Sequence, residues 1–306
     1  MLISEAIKRF IRRSVVNGLS QRTVEEYDRI THNLQVYAEQ QDIKRIEDVS
    51  ADVLQDYFIF LRNKRLSPYT LRGNYVTLNV FFNFLEQQTI LPDNPLKRAL
   101  KKPPLPKEKA RTFKPSEVLQ ILNYYDKDSF VGMRNYAIMA TFFGTGIRRS
   151  ELLNLLVYDV DMDARLMVVT GKGNKTREIP VTPKLLRILK QYLSVRQKLL
   201  SAKHTDCNYL FISQHGHRLS QDGLRTVYKK LQKDLHIEGR RFSSHTWRHS
   251  FAKNFLINGG DLFTLQKILG HSDIATTQVY VDWTESEIRP QADRFSPLEN
   301  RNWSRL

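Results

Sequence analysis

The chain is 306 residues long, enough for about two domains, and a hydrophobic fraction of 41% can fill real cores, which excludes wholesale disorder. Lys and Arg number 48 against 32 Asp and Glu, a formal charge of +16 and a pI near 9.8, and such a surplus points to a polyanion, nucleic acid first. Cys207 is the only cysteine, which excludes a disulfide framework and a cysteine-built metal site and leads us to expect a reducing, cytosolic compartment.

The amino-terminal run MLISEAIKRFIRR is too short and too charged for a signal peptide or a membrane span, so a soluble intracellular protein is expected. Leu2, Ile3, Ala6, Ile7, Phe10 and Ile11 form a helical stripe that stops at Asn17-Gly18. Ser20 caps a second helix with Val24, Tyr27, Ile30, Leu34 and Tyr37 on one face. Ser50 caps a third, with Val53, Leu54, Tyr57, Phe58 and Leu61 apolar. Ser67-Pro68 opens a fourth, buried through Leu71, Leu78, Phe81, Phe82 and Leu85. Four helices on short loops, without strand signal, predict a small all-α domain over residues 1–100. Its corner Arg62, Lys64 and Arg65, followed by Arg72, is either a DNA contact or a solvated charged corner.

From Lys97 to Lys114 eight basic residues stand against one acid, Glu108, and Pro103, Pro104 and Pro106 forbid a helix. This predicts an extended basic linker, centred on residues 101–113, whose Lys101, Lys102, Lys107 and Lys109 would cross a phosphate backbone.

A second domain follows over residues 114–306. Helices are expected from Pro115 to Tyr125, from Val131 to Phe143 (apolar nearly all round, hence central), and from Ser150 after the break at Gly144-Thr145-Gly146. Leu166–Val169 and Glu178–Val181 flank the turn-rich TGKGNKTR and predict a hairpin, with Tyr209–Ser213 as an edge strand. Helices around Lys184–Leu199 and Gln221–Leu235 precede one from His245 to Asn258, one from Asp261 to Leu269 and one capped by Ser272. The fold class is mainly α: a four-helix first domain, then a mainly helical domain with a small antiparallel sheet.

Several chemistry-bearing groups stand out in the second domain. Arg148 follows a glycine-rich break, and Glu151 lies one helical turn on, where it can hold the guanidinium. Lys172 sits in the hairpin loop GKGNK, and His245 and Arg248 share a helix face at i and i+3. His271 follows the helix-ending Gly270, and Tyr280 comes shortly after. Two guanidiniums suit a pentacoordinate phosphate, because each stays charged and can bond two oxygens in one plane. A lysine can protonate a departing alkoxide, and a tyrosine of ordinary pKa near ~10 attacks only where cations and a base favour its phenolate. Together these groups describe phosphoryl transfer through a covalent phosphotyrosine.

Taken singly, each residue has an ordinary structural reading, since a lone tyrosine on a helix is more often core or surface. His245 and His249 stand four apart but enclose Thr-Trp-Arg rather than the Glu-first HExxH pattern, so no metal site is assigned. GKGNK lies between strands and lacks the GxxxxGK[ST] form, so it is no nucleotide-binding loop. Cys207, in the polar run HTDCNY, is a poor nucleophile candidate.

In this order, TGIRRSELLNL, GKGNKTR, HTWRH and LGHSDIATTQVY closely resemble the tyrosine recombinases of the Xer and phage-integrase type, over essentially the whole chain. The resemblance implies a SAM-like core-binding domain ahead of the catalytic domain, the two forming a clamp around a DNA duplex. It implies that Tyr280 attacks the scissile phosphate and is joined to the 3′-phosphate. Arg148 and Arg248 would neutralise the non-bridging oxygens, His271 would donate a further hydrogen bond, and Lys172 would protonate the leaving 5′-oxygen. His245 would act as acid/base near the tyrosine, with Glu151 in support. His249 is expected to be structural, and Trp247, where many relatives carry Leu, to be a packing change. No cofactor is implied, because the phosphotyrosine conserves the energy of the cut bond without ATP or metal. The implied partners are double-stranded DNA with a specific core site and a homotetramer or heterotetramer on paired sites. The tail after Tyr280, through Trp283, Ile288 and Phe295, would pack into a neighbouring protomer. Two other readings stay open, a type IB topoisomerase-like nicking–closing enzyme and a DNA-binding relative without catalysis. Length, linker and tail favour the recombinase over the first, and the complete catalytic set favours it over the second.

Overall fold

Three helix starts in the first third of the chain follow serines. In the computed structural model, α1 (Ile3–Val16), α2 (Gln21–Gln40), α3 (Ala51–Asn63) and α4 (Pro68–Gln87) arise where the apolar stripes place them. The side chains of Ser20, Ser50 and Ser67 accept hydrogen bonds from the backbone N–H groups of Thr23, Val53 and Thr70, satisfying donors that a helix start leaves unpaired. The structure describes residues 1–106, 111–171, 175–237, 242–271, 273–281, 290 and 293–294. It divides into two units, Met1–Glu108 and Lys109–Leu306.

The first unit closes around aromatic rings. Phe10 of α1 stacks on Tyr27 of α2 at 5.2 Å and meets Phe81 of α4 at the same distance. Leu34, Leu54, Tyr57, Leu78 and Phe82 fill the remainder, each fully buried. A fifth helix corrects the four-helix expectation: α5 (Pro95–Ala99) occupies what the sequence suggests is the start of the linker. Asn94 caps it by accepting from the Leu96 N–H at 2.9 Å, and Pro95 stands at the first helical position. Leu96 and Ala99 bury against the core, and Gln55 of α3 donates to the Ala99 carbonyl at 2.9 Å. Lys97 and Arg98 therefore ride on a helix, and the extended chain begins at Leu100.

In the second unit α6 (Pro115–Asn123) leads to α7 (Phe130–Thr145), which is buried nearly all round, and α9 (Pro183–Lys203) and α11 (Ser244–Ile257) pack along it. α8 (Arg149–Asn154) follows α7 after a tight break. The sheet is antiparallel in the order β1 (Val160–Asp161), β2 (Leu166–Thr170), β3 (Thr176–Pro180), with Val168 opposite Glu178 and Thr170 opposite Thr176. Tyr209–Ser213 adds no strand to it. Leu210 N–H donates instead to Leu155 O at 2.7 Å, and the Tyr192 hydroxyl donates to Leu210 O at 3.0 Å, so side chains and a loop take these groups. α10 (Gln221–Leu235) and α12 (Leu262–Leu269) match the sequence pattern. The last expected helix shrinks to α13 (Ala275–Gln278) and a 3-10 turn, Val279–Val281, that carries Tyr280. Its expected cap, Ser272, and the tail residues Trp283, Ile288 and Phe295 lie outside the described residues, as do Lys107, Lys109 and Lys172.

Trp247 is the largest fully buried side chain, set between Phe113 at 4.8 Å and Phe143 at 6.1 Å. Among the described residues its indole N–H has no hydrogen-bond partner. Trp247→Ala is therefore expected to destabilise the fold by about 3–5 kcal/mol. Trp247→Leu, which keeps much of the volume and deletes an unpaired donor, should cost less. Chemical denaturation followed by helical circular dichroism measures both, and equal losses would refute the volume argument.

Candidate active site

Gly146 ends α7 in the left-handed region (φ +62), where an added Cβ would lie 2.4 Å from Phe251 Cδ1 and 2.8 Å from Leu269 Cδ2. Only glycine allows both the turn and the close approach of α11 and α12. Two residues on, Arg148 caps α8, and its backbone N–H donates to Glu151 Oε2 at 2.8 Å. The same carboxylate accepts from Arg148 Nη1 at 2.8 Å and from Arg177 Nη1 and Nη2 at 2.8 and 2.9 Å. Burial works to raise the Glu151 pKa, but the hydrogen bonds from Arg177 and Arg148 and the charge of Arg177 outweigh it and hold the pKa down to about 2.

Arg248, on α11, is buried to 5% exposure. Its Nη1 donates to Gly146 O at 2.8 Å and its Nη2 to Leu269 O at 2.7 Å. Nη2 also lies 2.8 Å from His271 Nε2. A guanidinium can only donate, so His271 Nε2 is the acceptor and the ring proton sits on Nδ1, facing Thr277 Oγ1 at 2.8 Å. Burial, then the charges of Arg248, Arg148 and Arg177, lower the His271 pKa to about 4, so the ring is neutral at neutral pH. Burial and the neighbouring Arg148 lower Arg248 to about 10, and it remains a cation.

Tyr280 is buried at 6% exposure, its ring 5.3 Å from that of His249 and stacked 6.4 Å from that of His271. Burial raises the phenol pKa, while the charge of Arg248, its hydrogen bond to the phenol and the charge of Arg148 pull the other way. His249 is lowered to about 4, by burial first and then by His245 and Arg248. Arg148 Nη2 donates to Gly270 O at 3.2 Å, which closes the cluster.

Arg148, Glu151, Arg248, His271 and Tyr280 therefore meet in one place. His245 stands at its margin on the exposed side of α11, with its pKa lowered by burial and then by Arg248, Arg149 and Arg148. It lines an adjoining recess of about 680 Å³ with Arg149, Arg225, Lys229 and Ser243. Lys172 is not described, but its neighbour Gly171 is: a Cβ there would lie 3.2 Å from Glu151 Oε1 and 3.9 Å from Arg148 Nη1. In the first unit Arg62, Lys64 and Arg65 are exposed at the end of α3, with Lys64 Nζ 4.2 Å over the Phe60 ring. Arg72 donates to Pro103 O at 3.4 Å, and Lys101 and Lys102 are exposed beyond α5.

The sequence pattern alone missed Arg149, Thr277 and above all Arg177. A signal for Arg177 was present: it shares the inward register of β3 with buried Ile179, and an arginine on an inward position requires a buried partner.

Two arginines and a histidine thus gather around the buried phenol of Tyr280 on a mainly helical scaffold. Residues 111–287 match the phage integrase family and residues 2–102 the phage integrase SAM-like domain. The chain is 31% identical to a protein named tyrosine recombinase XerD of Staphylococcus haemolyticus over 97% of its own length and 98% of that protein. It is 28% identical to the protein of that name from Listeria innocua, over 92% and 95%. Among solved structures it resembles the XerA recombinase (26% identity, TM-score 0.52, covering 96% of this chain and 99% of that one). It shares the fold of the Tn1549 transposon integrase solved with a circular intermediate DNA (20% identity, TM-score 0.74, covering 96% and 99%). The chain belongs to the phage integrase family and is a site-specific tyrosine recombinase.

The Glu151 carboxylate also sets a stability test. Its folded pKa lies below the unfolded value, so its stabilisation is present above about pH 4.5 and is lost as pH falls toward 2. The effect is about 3 kcal/mol. Glu151→Gln should be less stable than the parent at neutral pH, with the gap closing as the parent is acidified through that window. A gap independent of pH in urea denaturation would contradict the assignment.

Proposed function

We propose that the chain cuts and rejoins double-stranded DNA at a specific core site, with Tyr280 as nucleophile. Tyr280 Oη attacks the scissile phosphorus, the bond from phosphorus to the 5′-oxygen breaks, and a 3′-phosphotyrosine forms. Lys172 gives the departing 5′-oxygen its proton, and His245 serves as acid/base for the phenol. A 5′-hydroxyl from the partner strand then attacks the phosphotyrosine and releases Tyr280. The supporting observation is the convergence of Arg148, Arg248 and His271 on the ring of Tyr280.

Each terminal guanidinium nitrogen carries two N–H groups. Arg148 uses one from Nη1 on Glu151 and one from Nη2 on Gly270 O, which leaves a second on each for non-bridging oxygens. His271 Nε2 accepts from Arg248 in the free protein, so donation to phosphate requires a proton there. An entering phosphate supplies the negative charge that favours it. The net charge of +16 and the exposed Arg62, Lys64, Arg65, Lys101 and Lys102 suit a phosphate backbone. Residues 1–100 are the core-binding domain, 101–113 the basic linker that carries Lys107 and Lys109, and 114–306 the catalytic domain. Strand exchange takes four protomers on paired sites in the cytoplasm; no described helix is long and apolar enough to cross a membrane.

A nicked duplex, its core selected with the parent protein from a random-sequence pool, should trap a covalent protein–DNA adduct. Tyr280→Phe should form none, and an adduct from that variant would move the nucleophile elsewhere. Arg148→Ala or Arg248→Ala should slow cleavage by on the order of 10²-fold or more while DNA affinity falls far less. Affinity should drop steeply with added salt, and a flat response would exclude binding through the phosphate backbone.

A further inference from the structure

Arg177 has no part in the steps above, yet all three of its side-chain nitrogens are held in the cluster. Its Nη1 and Nη2 grip the two oxygens of Glu151 at 2.8 and 2.9 Å, and its Nε donates to Ile268 O at 2.7 Å. Its stem packs on the backbone of Gly270, where an added Cβ would lie 2.8 Å from Arg177 Cδ. One side chain thus joins β3, the first turn of α8 and the end of α12.

We propose that Arg177 is a positioning residue for strand cleavage, fixing Glu151 and through it Arg148, and holding the end of α12 from which His271 projects. The proposal rests on the reading of Arg148, His271 and Tyr280 as the groups that meet the phosphate.

Glu151 Oε1 is shared, because Arg148 Nη1 and Arg177 Nη1 both lie 2.8 Å from it. The two-pronged grip of Arg177 stops the carboxylate from rotating, and a carboxylate that cannot rotate sets the plane of the Arg148 guanidinium. The third donor, Nε, ties that plane to the carbonyl row Ile268–Gly270, onto which Arg148 and Arg248 also donate. A lysine at 177 could supply charge but not a planar fork. Without Arg177, Glu151 keeps Arg148 but loses its strongest hydrogen bonds, and its burial then favours the protonated form. A fold staple would give a different signature, losing stability and DNA affinity together without a new titration.

The test uses the full chain and the nicked duplex described above, with adduct formation measured under single-turnover conditions. DNA affinity is read by fluorescence anisotropy and folding by thermal melting. Arg177→Met should form adduct about 10²-fold more slowly, with affinity within about threefold of the parent, and Arg177→Lys should fall between. The rate of Arg177→Met relative to the parent should decline further as the pH is lowered, as the loosened Glu151 takes up a proton. Adding Glu151→Gln to Arg177→Met should remove that pH dependence. A rate within about threefold of the parent would overturn the proposal, as would a slow rate whose ratio stays flat with pH. Should Arg177→Met fail to fold, Arg177→Lys decides, and a parent-like rate with a parent-like pH profile overturns the proposal. Arg148→Ala is the control for the underlying reading: parent-like cleavage in that variant refutes the site assignment whatever Arg177 does.

Discussion

Moving a carboxylate out of water costs several kcal/mol unless cations and hydrogen bonds meet it, and Glu151 is met on every side. Two guanidiniums and a backbone N–H close around a side chain with no solvent exposure. Those contacts reach Arg148 in α8 and Arg177 in β3, and Arg177 in turn holds the end of α12. Three elements distant in sequence are locked through one group. Removing a single partner would leave a buried charge uncompensated, which is why the cluster holds together as a unit.

Three arginines crowded around one carboxylate leave an excess of positive charge, and the scaffold offsets part of it with helix ends. The carbonyl of Gly146 closes α7, and those of Ile268, Leu269 and Gly270 close α12. Between them they accept from Arg248, Arg177 and Arg148. Helix C-termini carry partial negative charge and unpaired carbonyls, so they hold cations at fixed positions without cancelling them. The glycines at these ends, both in the left-handed region, let the carbonyls turn toward the guanidiniums. The result is a rigid, cationic recess suited to an oxyanion.

Much of this was legible in the sequence where the governing physics is local. Ser20, Ser50 and Ser67 start their helices because capping depends on a residue and its third neighbour. The hairpin flanking GKGNK follows from alternation around a glycine-rich turn. What escaped depends on partners far along the chain. Pro95–Ala99 is too short for periodicity to register and forms because Leu96 finds the core. Tyr209–Ser213 has strand composition, but Tyr192 and Leu155 claim its backbone groups. Arg177 looked like one more basic residue in a basic loop, and only the carboxylate 26 positions earlier gives it meaning. Arg148, His245, Arg248, His271 and Tyr280 were found because their motifs occur together and in order. Spacing alone would have put Tyr280 on a regular helix rather than on a 3-10 turn after α13.

That turn bears on how the Tyr280 phenol is held. A phenol stays protonated at neutral pH even in water, and burial in this cluster favours the protonated form further. Arg248, whose charge and hydrogen bond to the phenol oppose that effect, also donates to two carbonyls and to His271, and Arg148 donates to Glu151 and Gly270. His271, stacked beside the ring, is neutral, with its Nε2 accepting from Arg248 and its Nδ1 proton facing Thr277. An oxyanion entering between Arg148 and Arg248 would draw on their remaining N–H groups, favour a proton on His271 and place an electrophilic phosphorus beside the phenol. Burial and the surrounding cations thus act on the Tyr280 phenol in opposite senses, and the balance between them would shift with any anion that draws on Arg148 and Arg248.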